Sequence, residues 1–197
     1  IKDRYERRQE EARQVALSHT SRSPITPQWL SYCLNEAIDE ETIVVDESVT
    51  NGANVTAYVQ RSQPGSYFKS GGSSLGWGLG AALGAKLAAP DKTVVATMGD
   101  GAFIYSSPTS TLWAADVYDA PFLAVIYNNQ LHNATKQSLK GGYADSYSAR
   151  AGTWIGMELG PPPPPSGQNP CKKNNAPYPD CSQLLQRSYL FGKGDPV

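Results

Sequence analysis

Three short apolar runs along the chain each end in polar residues. They are "ETIVVDES" at residues 41–48, "TVVATMGDG" at 93–101 and "FLAVIYNNQ" at 122–130. Each run is rich in β-branched and other apolar residues, and its apolar positions are consecutive rather than alternating. This pattern is typical of strands that are buried on both faces. We therefore predict three buried strands, each with a polar carboxyl end.

Segments with helical patterns precede or separate these strands. Thr26 before Pro27 is typical of an N-cap followed by proline at the first helical position, and apolar residues then recur at helical spacing. Residues 75–88 are rich in glycine and alanine, and residues 107–118 begin with Ser before Pro. Strands that alternate with helices predict an α/β fold, a doubly wound parallel sheet with helices on both faces.

Polar residues at the predicted strand ends indicate the chemistry of a site. In such sheets ligands bind beyond the carboxyl ends of the strands, where residues 46–48, Asp100 and residues 128–129 are expected to converge. Asp and Asn side chains offer the hard oxygen ligands that Mg²⁺ prefers. Gly99 and Gly101 would let the backbone approach a phosphate closely. The pattern indicates a metal–diphosphate site.

Other interpretations of these glycines remain open at this point. An isolated Asp-Gly pair is also common in turns. The sequence has no GxxxxGK[ST] phosphate loop, and "GLGAALG" misses the dinucleotide pattern GxGxxG because Gly84 falls one position late, with no strand predicted before it. The six glycines among residues 71–84 fit either close packing of a helix on the sheet or a backbone that approaches a flat ring.

Composition narrows the function classes and the location. The formal net charge is −1 and the pI is about 6.1, so no basic surface for nucleic acid is indicated. No apolar run is long enough to span a bilayer, and no amino-terminal signal is visible. We expect an intracellular, cytoplasmic protein with neither nucleic acid nor membrane as partner. The charged residues 1–22 predict a linker or interdomain helix, and residues 23–197 one domain.

Three separated segments in this order resemble a known family. "GDG", followed after 26 residues by "NN", is similar to the thiamine diphosphate motif. The upstream segment "PGSYFKSGGSSLGWGLGAALGAKLAAPDKTVVATMGDG" resembles the carboxy-terminal cofactor-binding domain of benzoylformate decarboxylase and acetolactate synthase-like enzymes. The resemblance covers residues 23–157. It implies the thiamine diphosphate-binding fold, thiamine diphosphate and Mg²⁺ as cofactors, and a lyase or transferase acting next to the carbonyl of a 2-oxo acid.

The resemblance also implies roles for individual residues. It assigns Mg²⁺ to the side chains of Asp100 and Asn129 and the backbone carbonyl of Leu131. The expected diphosphate contacts are Gly99, Gly101, Ala102, Ser48, Val49 and Thr50, with Asn129 as a shared cofactor residue.

Two positions in the glycine-rich segment match contacts to the cofactor rings, and one histidine matches the active-site lining. Leu75 matches the apolar residue that wedges between the two rings, and Ser73 a position whose carbonyl accepts a hydrogen bond from the aminopyrimidine. His132 is the candidate for proton transfer, with an ordinary loop histidine as the alternative.

The sequence also departs from the family pattern. The family's activating glutamate comes from a pyrimidine-binding domain, which we expect on the same longer chain or on a partner chain. The resemblance implies a homo-oligomer of the complete enzyme, a dimer or tetramer, acting on a small 2-oxo acid. We expect a fold that is incomplete at the carboxy terminus and a Pro-rich insertion at about residues 160–179. The alternative is a non-catalytic binding or assembly module that retains the fold.

Overall fold

The protein is built around a parallel sheet of four strands. A computed structural model describes residues 2–72, 74–154 and 156–159. The strands are β1 (Ile43–Glu47), β2 (Tyr67–Lys69), β3 (Val94–Gly99) and β4 (Leu123–Tyr127). They pair in the order β2-β1-β3-β4, and every pair is parallel. The three strands predicted from the apolar runs are confirmed.

Helices alternate with the strands along the chain. The described helices are α1 (Lys2–Leu17), α2 (Pro27–Ala37), α3 (Gly52–Tyr58), α4 (Gly78–Ala88), α5 (Asp100–Tyr105), α6 (Pro108–Val117), α7 (Asn133–Gly142) and α8 (Tyr147–Ala151). A 3-10 turn, Val49–Asn51, joins β1 to α3. The described residues form two compact units, the first reaching Tyr127 and the second starting at Asn128. The sheet and α1–α6 belong to the first unit, and α7 and α8 to the second.

Both faces of the sheet are covered by apolar packing, as the continuous apolar runs predicted. Successive side chains of a strand point to opposite faces, so each central strand contributes to two clusters. One cluster joins the sheet to α4 and α5 through Ile43, Val45, Val94, Ala96, Met98, Leu79, Ala82 and Ala102. The other joins the sheet to α2 and α3 through Val44, Val95, Val125, Tyr127, Leu34, Val55 and Val59. The prediction of helices on both faces is confirmed.

Helices α2 and α6 both begin at a proline, as predicted, but only α2 has a side-chain N-cap hydrogen bond. Oγ1 of Thr26 accepts a hydrogen bond from the N–H of Trp29 at 3.3 Å, so the predicted N-cap of α2 is confirmed. Helix α6 also begins at its proline, but Ser107 before it has a φ of 49° and accepts no capping hydrogen bond through its side chain. Pro108 therefore marks the start of α6 without a serine cap.

The segment before the glycine-rich helix departs from the sequence prediction. Strand β2 precedes it, so the expectation of no strand there is wrong. Helix α4 begins at Gly78 rather than at residue 75, because Gly76 has a φ of 97° and interrupts the helical conformation. Gly80 and Gly84 lie inside α4, which excludes a phosphate-binding turn made by these glycines.

The amino-terminal region forms a helix that packs on the first unit. Helix α1 contacts α2 and α3, and the hydroxyl of Tyr5 donates a hydrogen bond to Gln60 at 2.8 Å. Its role as an interdomain helix stays a prediction. Among the described residues, no helix is both long and apolar enough to cross a membrane. The predicted Pro-rich insertion at 160–179 lies outside the described residues.

A buried carboxylate ties three strands together. Asp46, at the end of β1, is 1% exposed. Its Oδ1 accepts hydrogen bonds from the N–H of Ser48 at 2.9 Å, the hydroxyl of Ser48, and Oγ1 of Thr97 on β3 at 3.1 Å. Its Oδ2 accepts from the Tyr67 hydroxyl at 2.7 Å and pairs with Nζ of Lys69 at 3.1 Å, both on β2. Burial alone would raise the pKa of Asp46, but these bonds outweigh it and hold the pKa below its usual value.

We expect Asp46→Asn to lower the free energy of unfolding at pH 7 by about 2 kcal/mol or more, because an amide cannot satisfy the same donors. The folded pKa of Asp46 lies below its unfolded value of 3.8, so its carboxylate stabilises the fold above that pH and loses this effect as the pH falls through the folded pKa. Denaturant unfolding should therefore show a smaller difference between wild type and variant at pH 3 than at pH 7. The control is Asp91→Asn, an exposed position where we expect a change within about 0.5 kcal/mol. An equal loss at both pH values would contradict this role of the Asp46 charge.

Candidate cofactor site

The loop after β1 is shaped by hydrogen bonds to Asp46. Ser48 is 1% exposed, and both its N–H and its hydroxyl donate to Asp46. Val49 and Thr50 follow in the 3-10 turn, with Val49 exposed and Thr50 half-buried. Both donors of Ser48 are thus used within the protein. Val49 and Thr50 remain the accessible positions among the three residues predicted to contact a diphosphate.

The segment after β3 carries an unsatisfied carboxylate oxygen. Gly99 ends β3, and a side chain at its position would have no other atom within 4 Å. Asp100 begins α5, and its Oδ1 accepts a hydrogen bond from the N–H of Gly101 at 2.9 Å. Its Oδ2 is buried and has no hydrogen-bond partner among the described residues. Such an oxygen is costly unless a cation or donor reaches it, so the site fits a metal ligand at Asp100.

The predicted diphosphate donors next to Asp100 are both buried. Gly101 and Ala102 lie in the first turn of α5 and have little exposed surface. The N–H of Gly101 points to the Asp100 carboxylate. A diphosphate contact at Gly101 would therefore share or displace that hydrogen bond.

The glycine-rich segment forms a turn with an exposed leucine. Leu75 is 41% exposed although it is a large apolar residue. Gly76, which follows it, has a φ of 97°, and a Cβ there would lie 2.5 Å from the carbonyl oxygen of Tyr105. Only glycine fits at this position. Ser73 lies outside the described residues, so its contact to the aminopyrimidine stays a prediction.

Glu47 holds this turn from the end of β1. Glu47 is a buried residue, with 5% of its surface exposed. Its Oε1 accepts a hydrogen bond from the N–H of Gly76 at 2.5 Å, and its Oε2 accepts from the N–H of Gly78 at 2.7 Å. Burial raises the pKa of Glu47, while the hydrogen bonds from Gly76, Trp77 and Gly78 act in the opposite direction. The sequence analysis missed this contact and indicated Glu47 only as one of the polar residues 46–48 at a predicted strand end.

The paired asparagines of the second unit form local turns. Oδ1 of Asn128 accepts from the N–H of Gln130 at 3.0 Å, and Oδ1 of Asn129 accepts from the N–H of Leu131 at 2.9 Å. Gln130 has a φ of 57°. An amide oxygen has two lone pairs, so Oδ1 of Asn129 keeps one for a metal. These turns give the two predicted ligands of this unit, Asn129 and Leu131, a defined local shape.

His132 is fixed by its backbone at the start of α7. Its N–H donates to the carbonyl of Met157 at 2.7 Å, next to the bridge between Leu131 and Glu158. His132 as a whole is half-buried. These contacts place the backbone of His132, and its role in proton transfer stays a prediction.

The sheet brings the first-unit residues to a common edge. Glu47 pairs with Met98 in the register of β1 and β3, so the loop at 48–50 and the segment at 99–102 leave the sheet at the same level. Gly99 pairs with Tyr127, after which the chain enters the second unit. The positions of Asn129, Leu131 and His132 relative to Asp100 stay a prediction. Within the described ranges, no group of three or more His, Cys, Asp or Glu side chains is placed so that it could hold a metal ion.

Comparisons with known proteins agree on one family. Residues 49–166, more than half of the chain, match the sequence model of "Thiamine pyrophosphate enzyme, C-terminal TPP binding domain", where thiamine pyrophosphate is a synonym of thiamine diphosphate. The chain is 34% identical over 116 residues to benzoylformate decarboxylase of Pseudomonas aeruginosa, covering 57% of this chain and 21% of that protein. It is 32% identical over 127 residues to the acetolactate synthase isozyme 3 large subunit of Escherichia coli, covering 64% and 22%.

Solved structures show the same fold. The thiamine diphosphate-dependent 4-hydroxybenzoylformate decarboxylase of Rhodococcus jostii RHA1 matches with a TM-score of 0.61 and 28% identity, over 70% of this chain and 24% of that one. The chain spans about a fifth of the length of the curated relatives it matches. With the extent of the sequence match and the agreement in fold, the chain belongs to the thiamine pyrophosphate enzyme family and corresponds to its C-terminal TPP-binding domain.

Proposed function

We propose that this chain supplies the diphosphate- and metal-binding half of a thiamine diphosphate site in a 2-oxo acid decarboxylase or carboligase. The buried Oδ2 of Asp100, which has no hydrogen-bond partner among the described residues, carries this proposal. It lies at the carboxyl end of β3, at the level where the loop after β1 also leaves the sheet. A buried carboxylate oxygen without a donor among the described residues, close to the open space at Gly99, is suited to a divalent cation that also binds phosphate oxygens.

Different residues bind the metal ion, the diphosphate and the rings of the cofactor. The side chains of Asp100 and Asn129 and the carbonyl of Leu131 bind Mg²⁺. Backbone groups of the 48–50 loop and of residues 99–102 contact the diphosphate, and the open space beside Gly99 leaves room for it. Leu75 and the carbonyl of Ser73 orient the rings. When bound, thiamine diphosphate supplies an electron sink that allows a bond next to a 2-oxo acid carbonyl to break or form.

The remainder of the active site comes from outside this domain. The curated relatives are about five times longer than the matched part, which supports a pyrimidine-binding domain on the same longer chain or on a partner chain. That domain supplies the activating glutamate, and the complete enzyme is a homo-oligomer, a dimer or tetramer. Similarity to benzoylformate decarboxylase and to 4-hydroxybenzoylformate decarboxylase supports a small 2-oxo acid as substrate. His132 is our candidate for proton transfer. We place the enzyme in the cytoplasm.

Asp100→Ala should weaken Mg²⁺-dependent binding of thiamine diphosphate at least tenfold, about 1.4 kcal/mol, because the other proposed ligands are neutral oxygens. The stability of the protein without cofactor should not fall, because the substitution removes a buried oxygen that has no partner in the described part of the chain. Isothermal calorimetry measures the affinity and denaturant unfolding the stability. Asp116→Ala, at an exposed position on α6, is the control with unchanged affinity. An unchanged affinity in Asp100→Ala would contradict the metal assignment.

The 197-residue chain by itself should not decarboxylate 2-oxo acids, because the activating glutamate and the other half of the pocket lie on the pyrimidine-binding domain. The measurement is carbon dioxide release from pyruvate and from benzoylformate by a pure sample with thiamine diphosphate and Mg²⁺. Adding the complementary domain should restore turnover. Steady release by the chain alone would show that it needs no other domain.

Leu75→Ala separates a residue that contacts the cofactor from a core residue. Because Leu75 is 41% exposed, its truncation should change the free energy of unfolding without cofactor by less than about 1 kcal/mol. Leu79→Ala, a fully buried position in the next helix, is the matched control and should cost about 2–5 kcal/mol. In the assembled enzyme, Leu75→Ala should reduce turnover more than it reduces affinity for the diphosphate. A large stability loss with normal turnover per folded molecule would place Leu75 in the core.

A further inference from the structure

We propose that Glu47 is a positioning residue, whose buried carboxylate holds the turn at residues 75–78 so that Leu75 meets the cofactor rings. This role rests on the proposed function, since it assumes that Leu75 contacts the cofactor. Glu47 itself would not touch the diphosphate or the metal. It would act through the backbone of the turn, and its loss should therefore affect the rings of the cofactor more than its phosphates.

The hydrogen bonds of Glu47 define the shape of this turn. Its two carboxylate oxygens accept from Gly76 at 2.5 Å and from Gly78 at 2.7 Å, residues that lie 29 and 31 positions away in the sequence. Bonds from N–H groups to an ionised carboxylate are about twice as strong as those to a neutral acceptor. One side chain thus satisfies donors on both sides of Trp77, just before helix α4 begins.

The absence of side chains in the turn makes this contact possible. A Cβ at Gly78 would lie 2.7 Å from Oε2 of Glu47 and 3.2 Å from Cε of Met98. A Cβ at Gly76 would collide with the carbonyl of Tyr105 at the end of α5. The turn is confined by β1 on one side and by α5 on the other. Leu75 precedes this confined segment, so its backbone direction is set at Gly76.

The energetic cost of Glu47 argues against a purely space-filling role. Its carboxylate is placed beside the apolar cluster of α4 and β3, where burial disfavours the charged form. An apolar side chain of similar size would pack there without that cost. What the carboxylate adds is two oxygen acceptors aimed at the turn. The neighbouring Asp46 holds the 48–50 loop from the other face of the same strand, so the end of β1 shapes both segments that we assign to the cofactor.

The test compares two probes that share a diphosphate group, of which only thiamine diphosphate also carries the two rings. Thiamine diphosphate and inorganic pyrophosphate, each with Mg²⁺, are titrated by calorimetry into the full chain and its variants. In Glu47→Gln, an amide NH₂ group replaces one of the two carboxylate oxygens. Because this group is a donor, it cannot accept the hydrogen bond from the backbone N–H of the turn. We expect the Kd for thiamine diphosphate to rise at least tenfold and the Kd for pyrophosphate to change less than twofold. A residue that only supports the fold would not change the ratio of the two affinities.

Gly78→Ala tests the same contact without removing the carboxylate. If Glu47→Gln does not fold, this variant tests the positioning role of Glu47 in its place. Its Cβ pushes against Oε2 of Glu47, so we expect the same selective loss of thiamine diphosphate binding. Gly80→Ala is the matched control, since it makes the same change two residues further along α4, where a Cβ meets no other atom within 4 Å. We expect both Kd values of this control to stay within twofold of wild type.

The outcomes separate the two proposals. An equal loss of both probes in folded variants, or no change in either, would overturn the role of Glu47 while the proposed function stands. Failure of the wild-type chain to bind either probe would contradict the proposed function and, with it, the role of Glu47. Amide exchange of the unmodified protein gives a check that needs no variant. Thiamine diphosphate should slow exchange around residues 75–78, and pyrophosphate should not.

Discussion

The two adjacent carboxylates that end β1 constrain the whole edge of the sheet. Because successive residues on a strand point to opposite faces, Asp46 and Glu47 reach different segments from one point of the backbone. Asp46 joins β2, β3 and the following loop, and Glu47 joins the turn before α4. Both are buried, so each must be satisfied by donors, and those donors lie on the segments that flank the proposed site. Satisfying two buried charges therefore fixes the geometry of the edge.

A third carboxylate at this edge differs from these two in its partners. Asp46 has donors for both oxygens and a lowered pKa, and Glu47 has backbone donors for both oxygens. Asp100 has one oxygen bonded to its neighbour and one buried oxygen without a partner among the described residues. The fold alone satisfies both oxygens of Asp46 and of Glu47, whereas a buried carboxylate oxygen without a partner is energetically costly unless a donor or a cation reaches it. This difference distinguishes the residues that shape the proposed site from Asp100, the residue that we propose as a metal ligand.

Sequence patterns predicted the elements whose structure depends on burial of apolar residues. They did not predict the contacts between residues far apart in the sequence. The continuous apolar runs predicted β1, β3 and β4, because a strand covered on both faces is apolar at consecutive positions. Strand β2 was missed because it has three residues, and α3 because its Asn-Gly start is typical of a turn. The position of Asp100 at a predicted strand end indicated it as a site residue, and the family resemblance added its role as a metal ligand. Nothing local indicated Glu47, because its partners lie 29 and 31 positions away and are backbone groups without side-chain identity.

The glycines of the 71–84 region show why a shared residue type does not imply a shared role. Gly76 and Gly78 are required by neighbouring protein atoms, whereas Gly80 has free space around it inside α4. The turn at 75–78 is therefore shaped by contacts within the protein before any cofactor arrives. A turn that is already ordered loses less conformational freedom on binding, so more of the contact energy appears as affinity. The exposed Leu75 is consistent with its proposed contact to the cofactor rings, because its apolar side chain lies in solvent at the start of this confined turn and is not packed in the core.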